Sequence, residues 1–215
     1  MAIDRIIYYS VIVFAFAAGV WQRRYLDKAA RLFTYLLAIT LFVEISAFIS
    51  TILFKNNMPI FHIFTVVELM LITNYFLLSN KIRYTIKKLL LIDLLIAAVA
   101  VTNIFISEPL TSLNTNMLII EGFCISVMAL LSFYNILKNE DITQILYHVH
   151  FWIWSLLLIL WCGTFFYWGF YKVLSKAEWN NLQLIRQLHW CINVFVYLGV
   201  GFVLYFLPKR NKYAF

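Results

Sequence analysis

Glycine and proline are scarce in this chain, at six and three residues of 215. All three prolines, Pro59, Pro109 and Pro208, fall at the ends of apolar runs or between them. Transporter sites are commonly built where Pro or Gly interrupts a membrane helix and frees backbone groups. The scarcity therefore argues for unbroken helices and weighs against a rocking transporter. Cysteine is equally thin: Cys124, Cys162 and Cys191 lie in apolar stretches at unrelated spacings, with no CxxC pair for zinc or redox chemistry. They read as small buried packing residues. Walker loops, HExxH helices, GxSxG elbows and DxDxDG calcium loops are all missing from the sequence. Charged residues make up only 13% of the chain, and no Lys or Arg stands in the middle of an apolar run.

What fills the chain is hydrocarbon. A sequence that is 64% hydrophobic, with a mean hydropathy of +0.86, is not a soluble domain. Seven apolar segments, 4–21, 32–54, 60–79, 86–106, 114–137, 145–171 and 185–207, are each long enough to cross roughly 30 Å of bilayer core. The connectors are short and polar, so residues 1–215 are expected to form one all-α, polytopic seven-transmembrane-helix bundle. The first segment is expected to be a span and not a signal peptide, because its main positive charges, Arg23 and Arg24, follow the apolar run.

The net charge of +7 does not imply nucleic acid as a partner, since the basic residues flank the apolar runs and line no single face. One side of the bundle collects twelve Lys and Arg, at 23, 24, 28, 31, 81, 83, 87, 88, 138, 209, 210 and 212. The other collects five, Arg5, Lys55, Lys172, Lys176 and Arg186. The positive-inside bias then places the N-terminus outside and the C-terminus in the cytoplasm. Aromatics at span ends, such as Tyr8, Tyr9, Trp21, Trp168, Tyr171 and Tyr205, fit interfacial belts. Trp152, Trp154 and Trp161 lie deeper and read as packing or pocket walls.

Four carboxylates, Glu44, Glu68, Asp93 and Glu121, are stranded inside these spans. An acid at mid-bilayer costs about 2.5–3.5 kcal/mol even on a lenient scale, which makes each a candidate functional group. In span two, Thr40, Glu44, Ala47 and Thr51 recur at steps that keep them on one helix face. Such a stripe must face protein or water, and helix–helix glue explains it as readily as a binding role does. In span three, Thr65 and Glu68 share a face behind an entry with Pro59 at the first turn and Asn57 as a candidate cap. His62 is about 120° off that face and reads as an interfacial residue. Span five carries Glu121, and span seven a stripe of His189, Asn193, Tyr197 and Gly201. By depth, Glu44, Glu68, Glu121, His189 and Asn193 fall in one half of the bilayer. They are expected to surround one outward-opening polar cavity, with His62 at the rim.

A second set lies nearer the other face: Asp93, Asn74, His148 and His150. On a helix the two histidines point about 200° apart, and an interfacial entry to span six explains them. No metal site is legible; if a metal were bound, His62, His189 and Glu68 would be its ligands. A haem between His62 and His189 also stays open. A retinal Schiff base is not expected, because span seven contains no lysine.

The run Asn56-Asn57-Met58-Pro59-Ile60-Phe61-His62, followed by Glu68 and by Asn74-Tyr75-Phe76, resembles uncharacterised bacterial seven-transmembrane-helix proteins that are sometimes encoded beside sensor histidine kinases. The resemblance implies a bacterial inner-membrane location. It also implies a receptor or accessory role in signalling, with a sensor histidine kinase or another membrane protein as partner, and it assigns no residue a chemical task. The expected function is therefore a sensing or accessory signalling protein whose pocket takes a small molecule, lipid or ion. A proton-coupled small-solute transporter and an intramembrane metal- or haem-dependent enzyme are the alternatives.

Overall fold

The computed structural model describes residues 2–139, 145–174 and 179–210. Of the basic residues counted above, Lys176 and Lys212 lie outside these ranges, and the side chains of Tyr171, Lys172, Lys209 and Arg210 are not described. Seven helices occupy the described residues: α1 Ala2–Trp21, α2 Lys28–Phe54, α3 Met58–Ser79, α4 Ile86–Ile106, α5 Thr115–Asn139, α6 Val149–Leu174 and α7 Trp179–Arg210. Six of them, all but α6, are long and apolar enough to cross a membrane. Helix α6 is 26 residues long, and its apolar stretch among the described residues runs Val149–Phe165. The fold is that of a multi-pass helical membrane bundle.

The helices do not form a seven-membered ring. α1 packs on α2 and α7, α2 on α3, α3 on α5, α5 on α6, and α6 on α7, which closes a ring of six. α4 stands outside, against α3 and α5. Its only buried residues are Ala100 and Asn103, while Leu90, Leu91, Leu94, Leu95 and Val101 are exposed. Apolar exposure of this kind is what a lipid-facing helix requires.

Local chemistry sets the helix ends. Asp27 caps α2, its Oδ1 accepting the Ala30 N–H at 2.8 Å. α2 ends where Lys55 turns left-handed at φ 59°. Ser50 Oγ donates to the Asn56 carbonyl at 2.6 Å, across the turn and not back to the preceding turn of its own helix. Asn57 makes no capping bond; Asn56 Oδ1 instead accepts the Met58 N–H at 3.0 Å. At the far end of α3, Asn80 ties the helix to α5 through Ser132 and Asn135, at 2.8 and 3.1 Å.

Between the two ends lies a layer of buried apolar side chains. It is built from Ile12 and Ala15 of α1, Phe33, Leu36 and Leu37 of α2, and Leu69 and Ile72 of α3. Ile125 and Ala129 of α5, Ile153, Trp154 and Leu157 of α6, and Val196 and Val200 of α7 complete it, all buried. Small residues let the ring close. A Cβ on Gly201 would run into the Phe14 ring and stand 3.3 Å from the Ala15 Cα. At Gly163 the nearest atom is the mobile end of Ile192, Cδ1 at 2.9 Å. Gly201→Ala is therefore expected to destabilise the α1–α7 seam by about 1–3 kcal/mol through overpacking, and Gly163→Ala by much less. Thermal unfolding of both variants in detergent checks this; equal midpoints would contradict it.

Candidate functional site

One cavity of about 300 Å³ occupies the half of the bundle that holds the start of α1 and the α2–α3 and α4–α5 connectors. All six ring helices contribute to it and α4 does not. Thr40 and Glu44 enter from α2, Thr65 and Glu68 from α3, Leu118 from α5, Trp161 and Thr164 from α6, and His189, Asn193 and Tyr197 from α7. Tyr8 of α1 completes the wall. The connector residues Asn57, Leu113 and Asn114 border it. The steps of three and four along α2, α3 and α7 bring these side chains to one face of each helix.

Tyr8 holds Glu44: its hydroxyl donates to Glu44 Oε1 at 3.0 Å. The Tyr8 and Tyr197 rings meet edge to face, 5.9 Å apart. His189 lies stacked on Tyr167, with ring centroids 4.7 Å apart, and edge-on to Trp168. Asn193 donates to the His189 carbonyl one turn back, at 2.8 Å. Among the described residues Glu68 makes no hydrogen bond, and no Lys or Arg lines the cavity. The site is thus two carboxyl groups, an imidazole and three amides, Asn57, Asn114 and Asn193, with the aromatic side chains of Tyr8, Phe61, Phe64, Trp161, Trp168 and Tyr197.

Two of the expected site residues stand elsewhere. His62 is buried and does not line the cavity; its Nε2 donates to the Ser112 carbonyl at 3.0 Å. It pins the start of α3 to the α4–α5 connector, a partner fifty residues away that periodicity cannot reveal. Glu121 has no exposed surface and lies behind the wall, near Glu68, with both carboxyl oxygens unpartnered among the described residues. Its neighbour Gly122 lets Trp161 pack flat against α5. Trp161 and, one turn back on α5, Leu118 line the cavity, and Glu121 does not. Among the described residues, no three His, Cys, Asp or Glu side chains come together as a metal site. His62, His189 and Glu68 therefore form no common ligand set among the described residues.

The cavity border is held by a knot that the sequence did not announce. Asn103 Nδ2 donates to Asn114 Oδ1 at 3.1 Å and to Glu108 Oε2 at 3.3 Å, and Asn116 Nδ2 donates to Asn103 Oδ1 at 3.0 Å. Glu108 Oε2 also accepts the Asn116 N–H at 2.9 Å. These bonds fix the α4–α5 connector against the mouth.

A second polar cluster sits at the opposite end, around a cavity of about 330 Å³ lined by Asp27, Ser79, Lys81, His148 and His150. His150 Nε2 donates to Asp27 Oδ2 at 2.9 Å, and its Nδ1 lies 3.0 Å from the buried Tyr75 hydroxyl. In the neutral imidazole Nδ1 accepts from Tyr75, giving a Tyr75–His150–Asp27 chain. α6 begins only at Val149, so His148 precedes the helix and the 200° separation does not apply. The two imidazoles lie 5.4 Å apart. His150 is a buried bridge from α6 to the α1–α2 connector and α3, and His148 is half-buried just ahead of α6.

No protein family, curated protein or solved structure matches this chain.

Burial pushes His148 down from its ordinary 6.5 to about 4, helped by His150 and Lys81 and opposed by Asp27. Burial alone would raise Asp27, but the hydrogen bond and electrostatic pull of His150 and the Ala30 N–H hold it below 3.8. As pH falls the unfolded chain therefore protonates His148 before the folded one does. The stability present above pH 6.5 is lost between 6.5 and about 4. For Asp27 the stability present above its ordinary value is lost at lower pH still. The unfolding midpoint in detergent should drop between pH 7 and 4, and His148→Gln should flatten that drop. An unchanged pH profile in the variant would contradict the assignment.

Proposed function

We propose that this chain is a seven-helix membrane protein of the sensing or accessory-signalling kind, and that the Glu44–Glu68 cavity is its ligand site. One observation carries the reading: a cavity of about 300 Å³ with carboxyl and aromatic walls ends on a floor of buried apolar side chains contributed by all six ring helices. A pocket with a floor suits a molecule that binds and leaves by the same mouth. The volume is at the lower edge of small-molecule sites. Two carboxyl groups with no basic neighbour among the described residues, set among aromatic faces, favour a small organic cation.

The twelve-to-five distribution of Lys and Arg supports an orientation with the cavity mouth and N-terminus outside and the C-terminus in the cytoplasm. The likeness of Asn56–His62, Glu68 and Asn74–Phe76 to proteins encoded beside sensor histidine kinases supports the inner membrane of a bacterium as location and a kinase as partner. In that reading, occupancy of the cavity is passed through the packed layer to the Asp27–His150 end.

A second reading, a proton-coupled transporter, is favoured by one specific observation. Another polar cavity, with Asp27, His148 and His150, lies beyond the same apolar layer. The unbroken helices through that layer weigh against it.

The pocket reading is tested by thermal shift of the purified protein against a panel of primary and quaternary amines. At least one amine should raise the midpoint of the wild type and do nothing for Glu68→Gln, with circular dichroism showing both folded. Saturation at 100 times Kd would be worth about 2.7 kcal/mol. A panel that shifts the two proteins equally would remove Glu68 from the site.

A further inference from the structure

On the outer surface of the ring, where α1 meets α2, an apolar groove of about 160 Å³ runs past Phe16, Val20 and Ala38. It ends on Arg23 and Arg31, and the same two arginines, with Arg24, ring an open basin at the end of α1. The groove and the basin are continuous through Val20, Arg23 and Arg31. Gly19 of α1 meets Thr34 of α2 in the wall of the groove.

Among the described residues the three guanidinium groups are positioned without being neutralised. Arg31 Nε donates to the Leu26 carbonyl at 2.9 Å and the Arg23 carbonyl at 3.2 Å, which fixes the fork and leaves its outer nitrogens uncommitted. Arg23 Nη2 donates to the Tyr35 hydroxyl at 2.9 Å. Arg24 lies over the Tyr25 ring at 4.7 Å. No carboxylate pairs with any of the three among the described residues, and the nearest in sequence, Asp27, is bound to His150 and Ala30. Three forks around one basin suit a phosphate, which arginine recognises through paired N–H donors. The exposed Trp21 beside them is a residue type typical of the headgroup level.

We propose that this is a binding site for an anionic phospholipid, with its phosphate in the basin of Arg23, Arg24 and Arg31 and one acyl chain in the α1–α2 groove. Charge complementarity and the continuity of basin with groove select this occupant. A free phosphate would use the basin alone, and a zwitterionic lipid would use the groove without the charge. The site is separate from the Glu44–Glu68 cavity and does not depend on what that cavity binds.

The test is native mass spectrometry of the full chain in detergent, titrated with phosphatidylglycerol, phosphatidylcholine or inorganic phosphate. One phosphatidylglycerol should be retained in strong preference to phosphatidylcholine. Its affinity should fall roughly fivefold in Arg24→Gln and about a hundredfold in the triple Arg23→Gln, Arg24→Gln, Arg31→Gln variant, at about 1 kcal/mol per basic residue. Ala38→Phe, which fills the groove and keeps every arginine, should weaken phosphatidylglycerol and leave phosphate untouched. Arg24 makes no bond that holds the turn, so its variant decides the matter even if the triple variant fails to fold. Equal retention of the two lipids, unchanged binding by Arg24→Gln, or displacement of the lipid by millimolar phosphate in the wild type would each overturn the proposal. Unchanged lipid binding by Ala38→Phe would do the same.

Discussion

Hydrocarbon offers no hydrogen-bond partner, and that single constraint orders this bundle. Each span carrying a carboxyl, amide or imidazole has to turn it toward another helix or into a shared space. Glu44, Glu68, His189 and Asn193 come from three helices and meet in one cavity. Asp27, Tyr75 and His150 come from two helices and a connector and meet in one chain of hydrogen bonds. Local back-bonding absorbs most of the remaining hydroxyls, as at Thr65, Thr73 and Thr164. Two spans keep exceptions among the described residues: Asp93 Oδ1 on α4 and both carboxyl oxygens of Glu121 on α5 are buried without a partner, and Glu121 lies near Glu68.

The two polar ends are kept apart by the apolar middle. Along α3, Thr65 and Glu68 belong to the cavity, Leu69 and Ile72 to the packed layer, and Tyr75 to the histidine cluster. Along α6 the same order runs backward, from Trp161 and Thr164 through Leu157, Trp154 and Ile153 to His150. A close-packed interior transmits a shift of one element to its neighbours instead of absorbing it. A ligand pressing on Glu68 therefore acts on the same rigid helix that presents Tyr75 to His150. This gives a receptor reading a physical route from one face to the other without an open channel.

Much of the bundle is legible in the sequence, because apolar length and the short polar connectors mark helices that must span. The stripes at Thr40–Glu44–Ala47 and His189–Asn193–Tyr197 are legible for a related reason: a period near 3.6 reports which side chains share a face. Facing, however, says nothing about neighbours. That α4 stands outside a ring of six could not be read, since lipid-facing and protein-facing surfaces are equally apolar in a membrane. Nor could the bond from His62 to Ser112, or the bridge from His150 to Asp27 across 123 residues. Depth along the chain sets Glu121 level with Glu68, but which face of α5 meets the cavity, Leu118 and not Glu121, depends on how Trp161 packs at Gly122. The arginine basin is scattered over two helix ends as ordinary flanking charge, and only their packing joins it to a groove.

The central claim is that the Glu44–Glu68 cavity opens outward and has a floor. Sided thiol labelling tests it most directly, in a chain whose Cys124, Cys162 and Cys191 are replaced by alanine. Asn193→Cys, in the cavity wall, should react with a membrane-impermeant methanethiosulfonate added to the outer face and should not react from the cytoplasmic face. Val200→Cys, buried in the apolar layer, should stay unlabelled from both. Labelling of Asn193→Cys from the cytoplasmic face, or of Val200→Cys from either, would contradict the account.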